Sequence, residues 1–175
     1  MPVFVFDSSC LCPFALADRL DTLRRFTEGS ERRTTRAVLD EIRAGVTAHP
    51  ALEGLLHLDW LEAVPIDGLP ELIVFSDLRR RFGHGKRDIG EASVLAWAEV
   101  HGAVAVLDDQ TGRIVAQERR IAYRGTLGIL ALAIRNGRTT LPEAAVTVDL
   151  LRAAGARLPC DGEGFVVWCG EHGLL

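Results

Sequence analysis

Lysine is nearly missing from this chain: among 20 basic residues only Lys86 is a lysine. Such a bias reads first as coding composition, although a guanidinium binds two oxygens at once and so suits phosphate recognition. A positive net charge is missing as well. The formal charge is -4 and the sequence pI about 5.7, so no global field draws the chain to nucleic acid or to a membrane, and any nucleic-acid contact must be local. Long apolar runs are absent too. Leu127 to Ile134 falls far short of the roughly 20 residues of a membrane span, and the N-terminus shows no basic region followed by a signal-like apolar core. A cytoplasmic protein without membrane contact is expected. There are no sequence repeats and no low-complexity segments. The four cysteines lack finger spacing: Cys10 and Cys12 lie near the N-terminus, and Cys160 and Cys169, with His172 beyond, near the C-terminus. Free thiols in a reducing compartment are expected in place of a zinc site.

What is present, 175 residues with 48% hydrophobic content, suffices for one domain spanning residues 1–175. It is organised around Ala103 to Arg113, AVAVLDDQTGR. Small and β-branched apolar residues run into two carboxylates, and a polar segment then opens an amphipathic run from Ile114 to Arg120. The pattern predicts a buried parallel strand ending at Asp108 and Asp109, then a helix. Val3 to Phe6 repeats it and runs straight into Asp7. Ligands of open α/β sheets bind outside the carboxyl ends of the strands, so two strands stopping on acids suggest one shared anionic site. Asp also begins turns and caps helices, which is the plainer explanation of either acid alone.

In chain order, helical periodicity runs through Leu16, Leu20 and Leu23 to Phe26, and a polar break spans Thr27 to Arg33. Thr34 or Thr35 then caps a helix with the apolar stripe Val38, Leu39 and Ile42. Glu41 projects beside that stripe, where a rim residue and a site residue are both open readings. Pro50 opens a short helix through Leu56, Trp60 to Ile66 reads as a strand, and a helix follows from Pro70 to about Phe82. Its end carries Arg79, Arg80 and Arg81. With Lys86 and Arg87, past Gly83-His84-Gly85, they form the densest basic patch and the candidate RNA-backbone contact, although cations at a helix C-terminus also answer its dipole. Asp88 and Glu91 open the next helix, to about His101, in a capping-box pattern, with Glu91 facing the strand edge of Asp7 and Asp109. Ile121 to Tyr123 reads as a short strand, Gly125-Thr126 begins an apolar helix from Leu127 to Arg135, and Pro142 opens another through Leu151. The glycine-rich tail stays unassigned.

Asp7-Ser8-Ser9 after a first strand, Glu41 on a helix, Gly90-Glu91-Ala92-Ser93-Val94-Leu95-Ala96 and Val106-Leu107-Asp108-Asp109 together resemble the PIN-domain ribonuclease family, which includes VapC-like toxins. Gly125-Thr126-Leu127-Gly128 is similar to a segment that follows in one branch. The resemblance covers about residues 1–135, leaving about 136–175 as a C-terminal helical extension. It implies a three-layer α/β/α sandwich with a mainly parallel, about five-stranded sheet, whose acidic cluster holds Mg²⁺ or Mn²⁺ and cuts RNA. By position Asp7, Glu41, Glu91 and Asp109 would be the catalytic acids and Ser9 would support the first. Asp7, Glu91, Asp109 and Asp108 are the candidate metal ligands. Thr111 stands where many members carry a further Asp, and Glu91 where many carry Asp. Successive residues at a strand end point to opposite faces, so Asp109 is expected in the site. Asp108 then lies to the other side, capping the next helix or replacing the acid absent at Thr111.

Crowded carboxylates repel unless a divalent cation neutralises them; the cation also activates water and stabilises charge on phosphate, which suits hydrolysis to a 5′-phosphate and a 3′-hydroxyl. Small members are often toxins restrained by a short antitoxin, and homodimers are the commonest assembly. Two other readings compete. A haloacid-dehalogenase-like phosphatase would use Asp7, Lys86 and Asp108-Asp109, but Ser9 stands where its second acid belongs. A PIN-like fold that has lost catalysis would serve as a binding module, against which the four intact acids argue.

Overall fold

The computed structural model describes residues 1–82 and 88–175. Strands β1 (Val3–Phe6), β2 (Glu31–Thr35), β3 (Glu62–Val64), β4 (Val104–Val106) and β5 (Tyr123–Arg124) form one parallel sheet in the order β3-β2-β1-β4-β5. The apolar runs at Phe4, Val5 and Phe6 and at Ala105 and Val106 are buried, as strands covered on both faces require. From β1 the chain winds outward to β2 and β3, then returns to lay β4 against the other side of β1. The winding direction therefore reverses between β1 and β4, which is where open α/β sheets form their ligand crevice.

The helices are α1 (Ser8–Leu16), α2 (Leu20–Phe26), α3 (Arg36–Gly45), α4 (Leu69–Phe82), α5 (Asp88–His101), α6 (Gln110–Arg119), α7 (Thr126–Arg135), α8 (Leu141–Ala153) and α9 (Phe165–Glu171), with a 3₁₀ segment at Pro50–His57. α5 packs on β1, β2 and β4 and carries an unbroken buried stretch from Gly90 to Ala98, with α4 and α6 beside it. α1, α2, α7, α8 and α9 pack among themselves. Right-handed crossovers put the two groups on opposite faces, giving the three-layer α/β architecture. α3 touches both α1 and α5. Ala144, Val148 and Leu151 of α8 and Phe165 and Cys169 of α9 are buried in the same core, and ion pairs Arg25–Glu143 and Glu28–Arg138 tie this C-terminal part to the region around α2. Among the described residues, no helix is long and apolar enough to cross a membrane.

Three elements differ from the sequence expectation. Glu31–Thr35 is a strand where polarity predicts a break. Its arginines are covered by rings, Arg32 over Trp60 at 5.4 Å and Arg33 over Trp97 at 5.2 Å, so their stems shield the sheet while Thr34 and Thr35 enter the core. β4 closes at Val106, short of Asp108, whose backbone N–H leaves the ladder and donates to Ser9 Oγ at 3.1 Å. The tail forms α9, held by Phe165 and Cys169 one turn apart on its buried face.

Candidate active site

Each strand-end acid stands at a strand-to-helix junction. Asp7 follows β1 and caps α1: its Oδ2 accepts the Ser9 N–H at 2.9 Å, and its own N–H donates to the Val106 carbonyl at 2.9 Å, tying it to the end of β4. It is only 5% exposed, and burial raises its pKa against the pull of the Ser9 hydrogen bonds. Asp109 caps α6 in the same way, its Oδ2 accepting the Thr111 N–H at 2.8 Å, but it remains exposed. Each cap occupies one carboxylate oxygen.

Glu91 enters from the first turn of α5. It is 8% exposed, and its Oε1 is buried without a hydrogen-bond partner among the described residues. Burial, then the Asp7 and Asp109 charges, push it up to about 8. Gly112 on α6 backs it so closely that a Cβ there would overlap the Glu91 carboxylate. Glu41, in the body of α3, is half-buried and accepts the Gly90 N–H at 2.8 Å; burial raises its pKa, with Asp7 adding to the shift.

Asp7, Ser9, Asp88, Glu91, Asp109 and Thr111 line one cavity of about 470 Å³. The sequence alone points to Asp88 only as a helix cap. Its spacing from Glu91, one turn along the same helix, is the signal that places both at one wall. Among the described residues no group of three or more His, Cys, Asp or Glu side chains is arranged so that it could hold a metal ion by itself. Mg²⁺ is usually bound by one or two carboxylates with waters and phosphate oxygens completing its shell, so hard oxygens, one of them buried and unsatisfied, fit such an ion.

The remaining expected site residues lie elsewhere. Asp108 faces away from the cavity: Oδ1 accepts from the Thr126 N–H at 2.8 Å and Arg113 Nη2 at 3.0 Å, and Oδ2 accepts from Thr126 Oγ1 at 2.5 Å. It clamps the end of β4 to the start of α7, while the cap of α6 belongs to Asp109. Arg80 pairs with Asp77 and Arg81 with Glu118; Arg79 shares their turn at the end of α4. Lys86 and Arg87, with the link Gly83-His84-Gly85, lie outside the described residues.

A family model described as a PIN domain matches residues 3–161. A chain from the crystal structure of VapBC2 from Rickettsia felis bound to a DNA fragment from their promoter aligns with a TM-score of 0.50 at 15% identity. The alignment covers 70% of this chain and 98% of that one, a likeness of fold. No match is found among curated proteins. The family match spans both strand-end acids together with Glu41 and Glu91, and the chain belongs to the PIN-domain family.

Proposed function

We propose that this PIN-domain protein is a divalent-metal-dependent endoribonuclease, with the Asp7, Glu91 and Asp109 cavity as its active site. The observation that supports it most is the Glu91 carboxylate, buried under the influence of the Asp7 and Asp109 charges with one oxygen unpartnered among the described residues. An unsatisfied buried acceptor beside like charges is costly in an inert fold and is relieved by a cation. A Mg²⁺ or Mn²⁺ held by Asp7, Glu91 and Asp109 would supply Lewis-acid stabilisation of phosphate charge and a water acidic enough to attack. The chain's own residues do the rest. The Ser9 and Thr111 N–H groups fix the two aspartates by one oxygen each, and these carboxylates would hold the ion. Glu41 holds the turn that carries Glu91. Asp108 keeps β4 and α7 in register behind them.

The experiment is cleavage of RNA with Mg²⁺, with Mn²⁺ and with chelator, on the wild type and Asp7→Asn. Cleavage that needs the ion and is lost in the variant supports the reading; cleavage that survives both changes sinks it. A cytoplasmic toxin of a toxin–antitoxin pair, restrained by a small protein and assembling as a homodimer, is the biological setting we infer. The fold likeness to a VapBC2 chain supports it.

A further inference from the structure

Ser8, Ser9 and Asp109 line the acidic cavity and also a second cavity of about 580 Å³, so the two adjoin. One wall of this second space is the face of α1 with Cys12, Pro13 and Leu16; the other is the chain just after α8, from Ala154 to Arg157. Leu16 is 37% exposed and Arg157 is exposed. Arg157 makes no hydrogen bond or ion pair to any described residue, and it is the one cation among the described residues lining either cavity. The other candidate cations are committed: Arg80 to Asp77, Arg81 to Glu118 and Arg113 to Asp108.

A polyanion approaching a cavity walled by Asp7, Asp88, Glu91 and Asp109 is repelled everywhere except where an ion sits. The strand beyond the cut therefore needs a cation of the protein's own at a neighbouring phosphate, and an apolar surface for the ribose or base. The second cavity offers both. Its volume falls within the ~300–1,000 Å³ of small-molecule sites, so it can hold a nucleotide.

We propose that this cavity carries the single-stranded RNA segment adjoining the scissile phosphate, with Arg157 on a backbone phosphate and the Pro13–Leu16 surface under a ribose or base. The proposal rests on the nuclease reading and adds to it a substrate-binding residue in the C-terminal part of the chain. Adjacency to the acids and a cation with no partner among the described residues favour RNA over a protein segment.

The test compares Arg157→Ala, Arg157→Glu and Arg157→Lys with the wild type for cleavage of a single-stranded oligoribonucleotide. Binding of the same oligonucleotide to the Asp7→Asn protein, with and without Arg157→Ala, is followed against salt, and Mn²⁺ affinity by calorimetry. Arg157→Ala should raise KM about five- to tenfold with kcat within about twofold, Arg157→Glu should raise it further, and Arg157→Lys should recover most of the loss. The slope of log affinity against log salt should become shallower by about 0.7 to 1, with Mn²⁺ affinity unchanged. Paired Arg80→Ala and Arg81→Ala changes should move KM less. A wild type that cleaves while Arg157→Ala and Arg157→Glu keep its KM and salt slope overturns this assignment alone, and is the outcome if the cavity serves a protein partner. A wild type that binds Mn²⁺ yet neither binds nor cleaves RNA overturns the nuclease reading, and the assignment with it.

Discussion

Glu41 Oε1 accepts a 2.8 Å hydrogen bond from the backbone N–H of Gly90, so a carboxylate from the body of α3 satisfies the first turn of α5. A Cβ at position 90 would collide with that carboxylate, so the approach requires glycine there. Glu91 is the next residue. The two acids are therefore linked through one turn of backbone: Glu41 fixes where Glu91 stands.

Glu41→Gln keeps an acceptor oxygen for Gly90 and should hold the fold, with Mn²⁺ affinity reduced only modestly. Glu41→Ala leaves that N–H without its partner and should cost about 1–2 kcal/mol in urea unfolding, with weaker Mn²⁺ binding because Glu91 is no longer positioned. If calorimetry shows Glu41→Gln losing as much Mn²⁺ affinity as Glu91→Gln, Glu41 is itself a ligand.

Glu91 is pushed up from 4.5 to about 8 by burial and by Asp7. The folded chain thus binds this proton more tightly than the unfolded chain. In the window from 4.5 to about 8 the native state carries the extra proton, and stability falls as pH rises through it. Thermal melts in chelator should show Tm declining across that window for the wild type. Glu91→Gln should flatten the decline and be the more stable protein at the alkaline end. Added Mn²⁺ should raise Tm for the wild type alone; a wild-type Tm that is flat with pH would refute the buried-acid account.

Asp108 and Asp109 should separate cleanly. Asp108→Asn weakens the pair with Arg113 and sets an amide against the Thr126 N–H, and should cost about 1–3 kcal/mol of stability. Asp109→Asn keeps a good helix cap, so its stability should change little while Mn²⁺ binding and cleavage fall. Calorimetry and urea melts on the two variants check both halves, and the reverse pattern would exchange their roles.

Gly112→Ala is a substitution whose sign the site should invert. In an ordinary helix interior it gains about 1 kcal/mol. Here the added methyl would meet the Glu91 carboxylate and Leu107, so the variant should be less stable than the wild type and bind Mn²⁺ poorly. A variant with higher Tm and intact Mn²⁺ affinity would show that Glu91 has room to retreat.

The parts of this architecture that could be read from the sequence are those where local pattern and tertiary role agree. β1 and β4 are apolar runs that stop on acids, and the interval from Glu91 to Asp109 is one helix and one strand, so the frame of the site was legible. β2 was hidden because Arg32 and Arg33 belong to the sheet only through Trp60 and Trp97, contacts distant in sequence. The basic patch is divided among partners for a related reason. Arginines adjacent in sequence look like one surface, yet Asp77 and Glu118 take up Arg80 and Arg81. That Asp109, expected in the site, also caps α6 in place of Asp108 was not legible either. Periodicity tells where a helix starts but not which of two neighbouring carboxylates turns back to hold it.

The return of the chain to β4 has a consequence for synthesis. β1 pairs with β2 early, but its other edge closes only when Val104–Val106 arrives, after most of the domain has been translated. Until then the nascent chain presents an open strand edge flanked by Phe4 and Phe6, a segment that needs shielding as it leaves the ribosome. The same order separates Asp7 from Asp109 in time. No truncated product ending before Asp109 carries both strand-end acids, so an aborted round of translation releases a fragment in which the candidate site is incomplete.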